Sequence, residues 1–205
     1  MEIIEELSPI SNEMILCALH DYARESSTSS KLSWWVLSGR PSAERWFQFD
    51  FSYYLHRRIV NRHYTTCERT CNGNPIDIAI LRTVDHTIVA GLELKWWGNW
   101  WFDGDDGAQR DIDKVKTYPV EAAALMVWLV VDPDSVPENH EDLRDQIRRT
   151  GLATTQNVID GVNRMWPNRF ECLRSPVIVQ AASVECISAT LVAFIHRNNN
   201  GSPIG

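Results

Sequence analysis

The stretch Asn74-Pro75-Ile76-Asp77-Ile78-Ala79-Ile80-Leu81, followed by Gly91-Leu92-Glu93-Leu94-Lys95, decides how this chain is read. Side chains on a strand alternate between two faces. In the first segment Ile76, Ile78 and Ile80 share one face, and Asp77, Ala79 and Leu81 share the other. In the second, Ile88, Ala90, Leu92 and Leu94 share one face, and Val89, Gly91, Glu93 and Lys95 the other. Each strand has an apolar face and a face that ends in charge. Paired in phase, they bring Asp77, Glu93 and Lys95 together, with room left beside them by Ala79 and Gly91.

Working outward, residues 62–69, 76–83 and 87–97 read as three strands. Asn72-Gly73-Asn74-Pro75 and Asp85-His86 supply the turns between them. Before the strands, Ser42 is a candidate N-cap for a helix running to Val60. Glu44, Phe47, Phe51, Tyr54, Leu55 and Arg58 fall on one face of it, and Trp46, Phe49 and Tyr53 on others. A helix that is aromatic nearly all round is expected to be buried on more than one side. A further helix is expected over residues 1–25. After the strands, a helix is expected over 108–124. The apolar run Leu125–Val131 then reads as a strand buried on both faces. Helices over 138–149 and 153–165 and strands over 176–182 and 186–197 complete the chain. The expected fold class is α/β (α+β), a mixed central sheet flanked by helices.

The chain has 205 residues and a formal net charge of −7, which fits one domain over 1–205 with a full core. Hydrophobic residues at 44% and charged residues at 23% exclude a collagen, a coiled coil and a disordered tail. The acidic balance argues against coating nucleic acid by bulk charge and leaves a local basic groove open. Arg57, Arg58, Arg62, Arg110, Lys116, Arg148 and Arg149 are candidates for such a rim. Five cysteines, an odd number in a chain of this size, predict buried free thiols rather than a disulfide framework. No signal peptide or membrane span is expected, so the predicted setting is the cytoplasm.

Two carboxylates and a lysine converging at a strand end suit a divalent cation. Mg²⁺ takes carboxylate oxygens and keeps several waters. Such an ion activates water and neutralises charge on a phosphate. The Leu94 carbonyl lies between Glu93 and Lys95 as a further ligand. A lysine there steadies the attacking hydroxide or holds phosphate as a point charge.

Asn74-Pro75-Ile76-Asp77 followed by Glu93-Leu94-Lys95 resembles the signature of the PD-(D/E)xK nuclease superfamily. The resemblance implies a restriction-endonuclease-like αβββαβ core over 42–131, with 1–41 an N-terminal helical extension and 132–205 C-terminal decoration. It implies a Mg²⁺-dependent nuclease, Mn²⁺ substituting, that hydrolyses phosphodiester bonds. The expected substrate is DNA ahead of RNA, in restriction, repair or phage defence. It assigns metal binding to Asp77, Glu93 and Leu94, joined by Glu44 on the preceding helix. Catalytic roles fall to Asp77, Glu93, Lys95 and Glu44, and to Lys114, which contacts phosphate or water from the following helix. Tyr118 shares the Lys114 face.

Blander readings stand beside these. Asp77, Glu93 and Lys95 also suit a strand-end salt bridge, Glu44 a first-turn carboxylate that favours the helix dipole, and Lys114 an exposed helix lysine. Asp103, Asp105 and Asp106 are either a solvated loop or a gate to the site. Nine tryptophans, four of them within Trp96–Trp101, mark either a base-stacking wall or a core or interface, the latter including a homodimer or a partner protein. A catalytically inactive member of the same fold, acting as a binding or assembly component, is the rival function.

Overall fold

The structure, a computed structural model, describes residues 10–25, 28, 30, 31, 43–59, 62–95, 114, 123–149, 155–165, 167, 170–180 and 186–196. The first helix, α1 (Asn12–Arg24), begins later than the sequence suggests. Ser11 caps it by accepting from the Met14 amide at 3.2 Å, which leaves Ile10 outside. The second, α2 (Ala43–Arg58), carries acid in its first turn and bases in its last, in accord with the helix dipole.

Strands β1 (His63–Cys71), β2 (Asn74–Arg82) and β3 (Ile88–Lys95) form an antiparallel meander. The β1–β2 turn is Asn72-Gly73 alone, with both residues at positive φ (49° and 84°). This is the two-residue hairpin turn whose twist matches that of its strands. Asn74 and Pro75 therefore belong to β2. At the other end of β2, Asp85 accepts from the Thr87 amide at 3.0 Å and closes the second turn.

Strand β4 (Ala123–Val131) runs parallel to β3. Of the helix expected over 108–124, Lys114 is helical and Ala123 and Ala124 are strand, paired with Ala90 and Gly91; the rest of that span lies outside the described residues. A single helical turn, Glu138–His140, precedes α3 (Glu141–Arg149), and α4 (Thr155–Met165) follows. Strands β5 (Phe170–Gln180) and β6 (Cys186–His196) form a hairpin longer than the sequence suggests. Its edge strand β5 takes Pro176 into the ladder, a position where a missing N–H is tolerated. The six strands form one mixed sheet in the order β1-β2-β3-β4-β6-β5. The molecule is thus α+β.

One face of the sheet meets α1, α2 and α3. Ile15, Leu19 and Tyr22 of α1, Phe47, Phe51 and Leu55 of α2, and Leu143 and Ile147 of α3 join Ile78, Ile80, Ala90, Leu92 and Leu94 in one core. Tyr22 packs edge-on against Phe47 and Tyr54 and donates to Asp50 Oδ2 at 2.7 Å. Burial, reinforced by Asp50, pushes the Tyr22 phenol far above its ordinary value. On the opposite face Ala79, Leu81, Val192 and Phe194 are buried too, so the sheet centre is covered on both sides.

One expectation about α2 is overturned. Trp46, Phe49 and Tyr53 are exposed, so the helix buries a single side. The stripe through Phe47, Phe51 and Leu55 meets the sheet, and those three aromatics lie off it. Cysteine burial also differs: Cys17 is exposed, and Cys67 and Cys71 are half-buried, all as free thiols. Among the described residues no helix is long and apolar enough to cross a membrane.

Candidate active site

The β2–β3 ladder pairs Ile80 with Ala90, Ala79 with Gly91 and Ile78 with Leu92. Continued, it would set Asp77 opposite Glu93 and join Ile76 to Leu94. Instead the Leu94 amide donates to Asp77 Oδ2 at 2.7 Å. The side chain of Asp77 takes the place of a backbone acceptor, and the strands part at this point. Meanwhile β3 continues against β4, with Glu93 opposite Met126 and Lys95 opposite Trp128.

The other side of Asp77 is interrupted as well. The β1–β2 register runs Cys67 to Ile78 and then Arg69 to Ile76, omitting the pair Glu68 and Asp77. Glu68 has φ 57°, a left-handed conformation that turns it out of the ladder. Gln48 of α2 fills the gap. Its Nε2 donates to the Asp77 carbonyl at 2.5 Å and to Glu68 Oε1 at 3.1 Å. Two further bonds fasten α2 to β1: Thr65 Oγ1 donates to the Ser52 carbonyl at 3.0 Å, and the Cys67 thiol to the Gln48 carbonyl. Burial pushes the Cys67 thiol up from its usual value.

Glu93 is wholly buried, at 0% exposure. An ionised carboxylate in that position needs a facing cation. Lys114, in the connection between β3 and β4, places Nζ 3.5 Å from Glu93 Oε2. The structure therefore brings together Asp77, Leu94, Glu93 and Lys114. Glu44 is half-buried one helical turn before Gln48, on the same flank of α2 and at the Asp77 end. The backbone of Lys95 ends β3, and its side chain lies outside the described residues. So do Ser42, the segment Trp96–Trp101, and Asp103, Asp105, Asp106, Arg110, Lys116 and Tyr118.

Several expected rim cations do not gather here. Arg58 donates to Asp21 at 2.8 Å and lies over the Tyr54 ring, at the end of α2 remote from Gln48. The Arg62 carbonyl accepts from Thr83, at the end of β2 remote from Asp77. Arg148 pairs with Asp134 at 2.6 Å. Gln48 and Glu68 are site residues that strand alternation does not reveal. The available signal was Gln48 itself, a polar residue one turn after Glu44 on the flank of a helix that faces the core.

Among the described residues no three Asp, Glu, His or Cys side chains cluster as a ready-made metal cage. The donor set still fits Mg²⁺, which is held by one or two carboxylates and completes its shell with water and substrate oxygens. Asp77 and Glu93 supply the carboxylates. A strand residue directs its N–H and C=O to the same side, so the Leu94 carbonyl shares with its amide the gap between β2 and β3. No family model, curated protein or solved structure matches this chain.

Proposed function

We propose that this chain is a metal-dependent nuclease with a restriction-endonuclease-like core, hydrolysing phosphodiester bonds, DNA ahead of RNA. The observation that carries the reading is the Asp77–Leu94 bond, which ties one carboxylate to the backbone of the Glu93-Leu94-Lys95 run. The order helix, three-strand meander, connection and parallel strand supports the same core. A buried carboxylate facing a lysine from the crossover supports the site.

In this reading Asp77, Glu93 and the Leu94 carbonyl would hold Mg²⁺, with Glu44 at the margin. The bound ion supplies Lewis-acid charge to the phosphate and lowers the pKa of a water. Gln48 fixes the Asp77 backbone, so the carboxylate keeps its place. Lys95 orients the attacking water, and Lys114 balances Glu93 and approaches a phosphate oxygen. The water oxygen adds to phosphorus and gives up a proton to solvent, while the bond to the leaving sugar oxygen breaks and that oxygen takes up a proton from solvent.

Purified protein with plasmid DNA and Mg²⁺ or Mn²⁺ tests this. The expected result is cleavage that is lost in Asp77→Ala and in Lys95→Ala. Equal cutting by both variants overturns the assignment.

The rival is a catalytically inactive member of the same fold that binds or assembles. The Glu93–Lys114 pair favours it, because a lysine already neutralises the carboxylate. Calorimetric titration with Mn²⁺ separates the two readings. Binding that disappears in Glu93→Ala rejects the rival.

A further inference from the structure

The outer face of α2 exposes three large aromatic side chains at helical spacing. Trp46 and Phe49 are each 56% exposed and Tyr53 is 64% exposed. Burying such rings is worth far more than leaving them in water, so their exposure needs a reason. At 100° per residue, Arg45, His56, Phe49, Tyr53, Trp46 and Arg57 fall within an arc of about 120°. Arg45 and Arg57 are exposed and His56 is half-buried. Among the described residues of α2, the carboxylate closest to the arc is Asp50, at its margin. It is already held by Lys31 at 2.9 Å and by the Tyr22 hydroxyl at 2.7 Å. The face is therefore aromatic and cationic, on a chain whose net charge is −7.

We propose that this face is a stacking platform for single-stranded nucleic acid. Aromatic rings that take bases, set among arginines that take phosphates, are the elements of sequence-tolerant single-strand binding. Phe49 and Tyr53 follow Trp46 along the axis at rises of about 4.5 and 6 Å. Both exceed the ~3.4 Å repeat of stacked bases. Bases laid on these rings are thus drawn apart, which a single strand permits and a paired duplex resists. Arg45 and Arg57 are about 18 Å apart along the helix and bracket the rings. Charge complementarity chooses this occupant over an apolar protein surface, which would leave two arginines facing it.

The stripe begins at the N-terminal end of α2, the end that carries Glu44 and Gln48. Arg45 adjoins Glu44, one turn before Gln48, which holds the Asp77 carbonyl. A strand lying along α2 therefore has one end at the same end of the helix as Gln48. The proposal deepens the nuclease reading by naming its substrate as single-stranded, and it rests on that reading for the class of ligand.

The test is fluorescence anisotropy with labelled oligo(dT), oligo(rU) and a blunt duplex of equal length. Wild-type protein binds a single strand more tightly than the duplex. The tighter of oligo(dT) and oligo(rU) identifies the sugar. Phe49→Ala and Tyr53→Ala each weaken binding by about tenfold. Their thermal melts match the wild type, because both side chains are exposed. Asp77→Ala abolishes cleavage. Unchanged affinity in both ring variants overturns the proposal, as does a preference for duplex. So does a dimer that Trp46→Ala converts to monomer without loss of oligonucleotide binding, which assigns the face to a second copy of this chain. Single-strand binding that depends on the rings, in a protein that cleaves nothing, rejects the nuclease reading alone.

Discussion

The carboxylate of Asp77 accepts from the amide of Leu94 at 2.7 Å, where a continued ladder would have offered that amide the backbone of Ile76. A side chain thus does structural work that a main chain normally does, and it does so beside a buried carboxylate. Structure and chemistry can be separated at this residue. Asp77→Asn keeps an oxygen to accept from Leu94 and removes the negative charge. It is expected to lower stability by no more than about 1 kcal/mol, the net worth of an ordinary hydrogen bond. Mn²⁺ binding and cleavage are both expected to disappear. Denaturant melts and calorimetry on one preparation check the pair of outcomes.

Glu93 and Lys114 give the second prediction. Lys114→Met removes the cation facing a wholly buried carboxylate. The expected loss is about 3 kcal/mol, the low end for breaking a buried pair, because Lys114 retains some contact with water. Mg²⁺ is expected to return part of that stability, since a ligand that binds only the folded state stabilises it. The rise in melting temperature on adding Mg²⁺ should therefore be larger in the variant than in the wild type.

Gln48 gives the third. Gln48→Leu has nearly the same volume and donates to nothing. The Asp77 carbonyl and Glu68 Oε1 both lose a donor they now have. A cost of about 1 kcal/mol is expected, the net worth of an ordinary hydrogen bond, because Glu68 is exposed and its carboxylate regains a partner in water. Cleavage should fall further than stability explains, because the same side chain fixes the backbone of Asp77. Activity measured well below the melting temperature separates the two effects.

How far the sequence could be read depends on what each residue was answering to. Asp77 and Glu93 were legible because strand alternation is a local rule, and one phase error would have thrown both to the wrong face. The Leu125–Val131 run was legible as a strand because it is a short, continuous apolar run ended by Asp132-Pro133. Glu68 was not legible, since its left-handed conformation answers to a hydrogen bond from a helix some twenty residues earlier. Nor was the exposure of Trp46, Phe49 and Tyr53, because aromatic content reports a capacity for burial and not which side of a helix the sheet will occupy. Arg58 was misplaced for a related reason: its charge is visible in the sequence, while its partner Asp21 lies on another helix.

A fourth prediction concerns pH. Burial, with help from Arg82 and Arg62, holds the His63 imidazole below its ordinary value. Between that lowered value and about 6.5 the unfolded chain binds more protons than the folded one. Stability therefore rises with pH through this window, is complete above it, and is lost as pH falls. Acidification from neutrality should lower the melting temperature of the wild type more than that of His63→Gln. Parallel melts across the window give the comparison.

Among the described strands β3 and β4 are the one parallel pair, which has a consequence for how the protein comes to exist. Glu93 lies on β3, and Lys114 belongs to the long connection that must be crossed before β4 can dock beside it. Contacts that close such a detour form late, because the entropy of the detour is lost before any pairing is gained. The meander that carries Asp77 needs only short turns and can form early. A newly made chain would then pass through a stage with its hairpins built, Asp77 and Glu93 already on neighbouring strands, and Lys114 not yet docked against Glu93. On the proposed nuclease reading, assembly order would serve as a safety catch, withholding Lys114 from the site until the crossover to β4 is in place.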